Sequence, residues 1–240
     1  MTLGIIGAGR MGTALARALA AAGVPAVLCT ARREQAPPAG LPPGCAAATL
    51  EEVLRHAGTV LLALPYPVAA ALVAGPAGHR GGGRVLIDAT NPALCPDRSA
   101  PPRGCGSGGF GSGGFGSGGF GSGGFGSGGE IIAAAAAGWR TVKAFNTVAA
   151  EHLALTRMGD GPVTLPVAGP ADAKPPVFDL AVRLGFDPLD AGGIESSREM
   201  EALAVLLARV STAHGLHGRI GVRIAELDGC PASPAPEAAG

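Results

Sequence analysis

The 240-residue chain is poor in charge, in aromatic side chains and in lysine. Acidic and basic residues balance at 18 each, so neither sign is in excess to track a nucleic acid or an anionic membrane surface. No apolar run reaches the length of a membrane span. The five cysteines, Cys29, Cys45, Cys95, Cys105 and Cys230, are odd in number, widely spaced and free of any C-x-x-C pair. That argues against a disulfide framework or a zinc site. No signal-peptide pattern opens the chain, and reduced thiols in a cytoplasmic protein are expected. There is no G-x-x-x-x-G-K-[ST] phosphate loop and no readable Ser/His/Asp or Cys/His arrangement. His214 and His217 stand three apart without an evident third ligand, and His56, His79 and His152 are isolated, so no metal is expected.

What the chain has is glycine, 41 residues of it, and a core-forming apolar share of 47%. Three glycines carry the main signal. An apolar run, Leu3 to Ile6, leads into Gly7-Ala-Gly9-Arg10-Met11-Gly12, and a helical pattern follows to about Ala22. Strand, G-x-G-x-x-G turn and helix, in that order, form the context of a dinucleotide-binding fingerprint. Gly7 allows the tight turn, Gly9 lets a pyrophosphate approach the backbone, and Gly12 lets the helix pack close to the strand. The helix N-terminus then offers free N–H groups and partial positive charge. The plainer alternative is a tight strand-to-helix turn with no ligand.

The rest of the chain alternates in the same way. Strands are expected at 26–30, 59–64, 84–88 and 141–145, and helices at 50–56 (Thr49 as N-cap) and 68–74. This rhythm predicts an α/β doubly wound parallel sheet, a Rossmann nucleotide-binding fold, over residues 1–148. A small α/β extension over 149–227 is expected to have strands at 163–167 and 186–189 and a helix at 177–184. It ends in a long helix at 195–213, whose Leu203, Leu206, Leu207 and Val210 share one face. Pro175-Pro176 must stand at or before a helix start. Residues 228–240 are Pro/Ala-rich and read as a disordered tail.

Residues 106–126 contain a low-complexity insertion in which Gly-Ser-Gly-Gly-Phe occurs four times, with Phe110, Phe115, Phe120 and Phe125. A fifth copy ends in Glu130, and Ser127-Gly-Gly-Glu130 has the form of a capping box before the helical run Ile131–Ala137. The fifth copy is read as structural and the other four as an expansion of a length-tolerant loop. A Phe-bearing lid over the crevice is the alternative.

An acid that would bond a ribose 2′-hydroxyl is missing at the end of the second strand, where Thr30-Ala31-Arg32-Arg33 stands. Two guanidinium groups suit a 2′-phosphate, which points to NADP(H). Leu64 and Pro65 follow a buried strand, and their carbonyls are candidates for cofactor contact. Asp88, Asn91 and Pro92 end another strand, and Lys143, Asn146 and Thr147 end the next. All lie at the carboxyl edge, where such sheets bind ligands. Asp88 reads either as an acid–base group or as a carboxylate bonded to loop amides. Lys143 reads either as an active amine or as a strand residue reaching solvent. Asn146 could orient a planar ligand.

Several segments together resemble one family, the NADPH-dependent reductases of the deazaflavin coenzyme F-420. They are Gly4–Leu19, Ala31-Arg-Arg-Glu34, Leu62-Ala-Leu-Pro65, Ile87-Asp-Ala-Thr-Asn-Pro92, Val142-Lys-Ala-Phe-Asn-Thr147, Pro166-Val-Ala-Gly169 and Leu184-Gly-Phe-Asp-Pro-Leu-Asp-Ala-Gly192. The resemblance implies hydride transfer between NADP(H) and coenzyme F-420, with no catalytic side chain required. It implies Gly7, Gly9, Arg10, Met11 and Gly12 at the pyrophosphate. Thr30, Ala31, Arg32 and Arg33 would lie at the 2′-phosphate, Leu64 and Pro65 beside the nicotinamide, and Asn91, Pro92, Asn146 and Thr147 at the second substrate. It further implies a homodimer. Gly169-Pro170 and Gly193-Ile194 depart from the family pattern. The competing readings are an NADPH-dependent imine, ketone or flavin reductase and a non-catalytic NADP-binding protein. The imine-reductase type needs a long helical second domain, for which the chain after residue 150 is short.

Overall fold

The computed structural model describes residues 2–30, 40–94, 126–159 and 161–226. The expectations for the insertion, for Ala31, Arg32 and Arg33, and for the tail after residue 227 lie outside the described residues.

The first half builds one parallel sheet: β1 (Leu3–Ile6), α1 (Arg10–Ala21), β2 (Ala26–Cys29), β3 (Cys45–Ala47), α2 (Leu50–His56), β4 (Thr59–Leu62), α3 (Tyr66–Ala74), β5 (Val85–Asp88), α4 (Gly128–Ala135) and β6 (Arg140–Lys143). The strand order is β3-β2-β1-β4-β5-β6, and every neighbouring pair is parallel. The order reverses between β1 and β4, and at the carboxyl edge of such a switch point sheets of this kind bind their ligands. All four residues of β1, β4 and β5 are buried, which is why these strands read as unbroken apolar runs.

Side-chain alternation divides the core between the two faces of the sheet. Leu3 and Ile5 join Leu15 and Leu19 of α1 on one face; Ile6, Val60 and Leu62 join α2, α3 and Ile132 on the other. Leu15 and Leu19 are four apart and fully buried, and each contributes about 1.5–3 kcal/mol of hydrophobic stabilisation. The caps are legible in the chain. Thr49 and Glu52 form a complete capping box on α2, and Ser127 and Glu130 form another on α4.

After β6 come a minimal hairpin, β7 (Arg157–Met158) with β8 (Gly161–Pro162), and then β9 (Thr164–Val167), α5 (Pro175–Arg183), β10 (Asp187–Asp190) and α6 (Ser197–Ala213). The prolines open α5, where their missing N–H groups cost nothing. β9 and β10 are parallel to each other. An antiparallel bridge, Lys143 to Ala168, joins β9 to β6. One apolar cluster runs from β1 and α1 through Phe145 to Phe186, and those two rings meet edge to face at 6.2 Å. The C-terminal part therefore shares a core with the parallel sheet.

Four details differ from the sequence reading. β3 was not expected, because Cys45-Ala-Ala is a short, partly exposed edge strand with no β-branched residue. The β7–β8 hairpin, two residues a side, is too short to leave a periodic pattern. α3 begins at Tyr66, before the expected Val68, since Pro67 is tolerated in a first turn. α6 buries Met200, Ala204 and Ser211, while Leu206 is 56% exposed. No helix among the described residues is long and apolar enough to cross a membrane.

Candidate nucleotide crevice

The turn between β1 and α1 has the geometry its glycines demand. Gly7 sits at φ 121°, and a Cβ there would lie 2.3 Å from the Ala63 carbonyl oxygen. A Cβ on Gly12 would lie 1.7 Å from the Gly7 carbonyl oxygen, so α1 rests directly on the turn. At Gly9 the opposite holds: a Cβ would meet nothing within 4 Å. Gly9 is the N-cap of α1, and no side chain caps the helix and no acid lies in its first turn. α2 and α4 close their own N-termini with capping boxes, whereas α1 leaves its N–H groups uncapped beside open space. Such a terminus fits the pyrophosphate of a dinucleotide.

The other expected residues that the structure describes follow the strands of the parallel sheet at its carboxyl edge. Arg10 and Met11 open α1, and the exposed Arg10 guanidinium pairs with Glu151. Thr30 follows β2 and is half-buried. Leu64 follows β4, and Pro65 caps α3, its carbonyl accepting from Val68 and Ala69. Asn91 and Pro92 follow β5; Asn146 and Thr147 follow β6 and are buried. The two asparagines bond each other. The Asn91 Nδ2 donates to the Asn146 carbonyl at 2.6 Å, and the Asn146 Nδ2 donates to the Asn91 Oδ1 at 3.1 Å.

Lys143 corrects the sequence reading: it does not reach solvent. Its side chain is fully buried, and its ammonium donates to Asp88 at 2.9 Å, Glu201 at 2.8 Å and the Thr90 carbonyl at 2.7 Å. Burial pulls the Lys143 pKa down, but the Asp88 and Glu201 carboxylates outweigh it and the net direction is up. The amine is therefore a charged structural centre and no nucleophile. Asp88 follows the second of its two readings, accepting from the Thr90 N–H at 2.9 Å. Glu201 was missed. The available signal was an acid next to Met200 on the buried side of α6. At the far end of α6, the Nε2 of His152 lies 2.8 Å from the His217 carbonyl. Among the described residues, no three His, Cys, Asp or Glu side chains are grouped to hold a metal. Cys29, at the end of β2, is buried and its thiol pKa is pushed up to about 12.

Residues 2–92 match the family described as NADP oxidoreductase, coenzyme F-420-dependent. A hypothetical protein of Sinorhizobium meliloti is 30% identical over 82% of this chain and 87% of its own, with a TM-score of 0.60. Over residues 2–92 the chain belongs to the coenzyme F-420-dependent NADP oxidoreductases. It is thus an NADP-dependent oxidoreductase by family. The fold of this NADP oxidoreductase is also that of a candidate F-420-dependent NADP-reductase of Arthrobacter sp. FB24. That protein is 24% identical over 94% of this chain and 100% of its own, with a TM-score of 0.73. An imine reductase of Pseudomonas sp. shares the fold at 14% identity and a TM-score of 0.58, over 90% of this chain and 63% of its own. No curated protein matches the chain.

Proposed function

We propose that this oxidoreductase transfers a hydride between NADP(H) and the deazaflavin coenzyme F-420. The observation that carries the reading is the uncapped N-terminus of α1 beside the open space at Gly9, in a family named for this pair of cosubstrates. Gly7, Gly9, Arg10, Met11 and Gly12 hold the pyrophosphate. Thr30, Ala31, Arg32 and Arg33 hold the 2′-phosphate, and Leu64 and Pro65 lie beside the nicotinamide. Asn91, Pro92, Asn146 and Thr147 face the second ring. Bound there, NADPH supplies a hydride from nicotinamide C4, which the deazaflavin accepts at C5. The protein's task is to hold two rings face to face and keep water out, which needs no nucleophile. Residues 1–148 form the NADP-binding domain in this reading and 149–227 a small C-terminal α/β portion. A homodimer belongs to this reading through the family resemblance alone, with α6 as its candidate interface.

The test is absorbance of NADPH and of oxidised coenzyme F-420 mixed with the protein, followed by flavins and a cyclic imine in place of F-420. Turnover with F-420 alone is expected. Turnover with the imine or a flavin and none with F-420 overturns the assignment. Tight NADPH binding without any turnover identifies a non-catalytic NADP-binding protein.

A further inference from the structure

Lys143 is the last residue of β6 and Asp88 the last of β5, so their ion pair sits at the carboxyl edge of the sheet. The three bonds of the ammonium use all three of its protons. Glu201 also accepts from the N–H groups of Gly128 at 3.1 Å and Gly129 at 3.0 Å, the first turn of α4. One lysine therefore ties together β5 with its following loop, β6, α4 and α6. The amide pair of Asn91 and Asn146 is bonded into the same turn of α6. The Asn146 Nδ2 donates to the carbonyl of Met200, the residue before Glu201, at 3.1 Å. The Thr90 carbonyl that Lys143 grips belongs to the residue before Asn91. An ionic layer and an amide layer thus share two stretches of backbone, residues 90–91 and 200–201.

Well-packed apolar side chains would hold a helix against a sheet as firmly as a buried ion cluster does. What the cluster adds is direction, because each of its bonds fixes one acceptor at one place. None of these bonds reaches β1 or α1, on which the nucleotide side of the crevice is built.

We infer that Lys143 is a positioning residue, which through the Thr90 carbonyl and Glu201 holds the Asn91–Asn146 amide pair in place on the acceptor side of the crevice. The inference rests on the reading of that crevice as the hydride-transfer site, and its test separates the two.

In Lys143→Met, which keeps all but the last atom of the side chain's length and removes its charge, the KM for coenzyme F-420 rises at least 10-fold. The NADPH Kd stays within twofold. The side-chain amide signals of Asn91 and Asn146 in a nitrogen-15 NMR spectrum move toward those of free amides. If the Met variant does not fold, Glu201→Gln carries the test: it keeps one oxygen for Lys143 but loses an acceptor for α4, and the same signals move by a smaller amount. Unmoved amide signals in either folded variant overturn the role, and so does an acceptor KM within twofold of the parent. Equal losses of NADPH and acceptor affinity overturn it too, because they mark general loosening. The NMR measurement needs no acceptor. Absence of F-420 turnover in the parent protein therefore sinks the proposed reaction, while unmoved amides sink the positioning role.

Discussion

A Cβ built on Gly12 stands 1.7 Å from the carbonyl oxygen of Gly7, while one built on Gly9, between them, touches nothing within 4 Å. The two positions therefore separate packing from ligand approach. Gly12→Ala forces backbone to move, and a destabilisation of about 1–3 kcal/mol is expected, seen as a lower Tm. Gly9→Ala leaves the Tm within a degree or two but weakens NADPH binding at least 10-fold, because its methyl group occupies the approach to the α1 N-terminus. Unchanged NADPH affinity in a folded Gly9→Ala protein, read by fluorescence titration, would remove the pyrophosphate assignment.

The 2′-phosphate assignment rests on charge type in the sequence. Arg32→Asp replaces a guanidinium suited to phosphate with a carboxylate suited to a ribose hydroxyl. The KM for NADPH should rise by at least 10-fold more than the KM for NADH. Equal effects on both cofactors would show that Arg32 does not read the phosphate.

Glu130 predicts a pH dependence. The Arg198 guanidinium holds its carboxyl down to about 2, against the pull of partial burial and with help from the Ser127 N–H and hydroxyl. The folded-state pKa lies below the unfolded one, so the stabilisation is present above the ordinary carboxylate value near 4.5 and is lost as pH falls from there to about 2. The shift corresponds to at most about 3 kcal/mol. Since 23% of this side chain and 52% of the Arg198 side chain are exposed, about 1 kcal/mol is the expectation after screening. Urea unfolding of Glu130→Gln at pH 7 should show that deficit, and the gap to the parent should narrow below pH 4.5. A deficit independent of pH would mean that the charge contributes nothing.

The insertion should be dispensable. A Cβ on Gly128 would lie 2.4 Å from Pro92, so described residues on the two sides of the insertion are neighbours. Removing residues 106–125 spares the Ser127–Glu130 capping box. Shortening a connection by this much changes the closure entropy by only on the order of 1 kcal/mol. An unchanged or slightly higher Tm and unchanged turnover are expected. Loss of turnover in a folded deletion protein would give the Phe-bearing repeats a role at the crevice.

The elements read correctly from the chain are those whose cause is local. Thr49 and Glu52, or Ser127 and Glu130, stand three residues apart and mark a helix start wherever they occur. β1, β4 and β5 are apolar throughout because both faces of each are buried. β3 escaped notice because an edge strand of Cys45, Ala46 and Ala47 gains its conformation from pairing with β2 and not from its own side chains.

The sequence by itself determined the glycine turn, the alternation that makes the sheet, and the residue types offered to a phosphorylated dinucleotide. The tertiary structure decided the state of Lys143. A lysine in a strand reads as solvent-seeking, since a lone ammonium is costly to bury. Its partners Asp88 and Glu201 lie 55 and 58 residues away along the chain, and no local pattern announces them. Packing α6 against the ends of β5 and β6 brings both carboxylates to the ammonium, and only there does the charge become more stable inside the protein than its burial would allow.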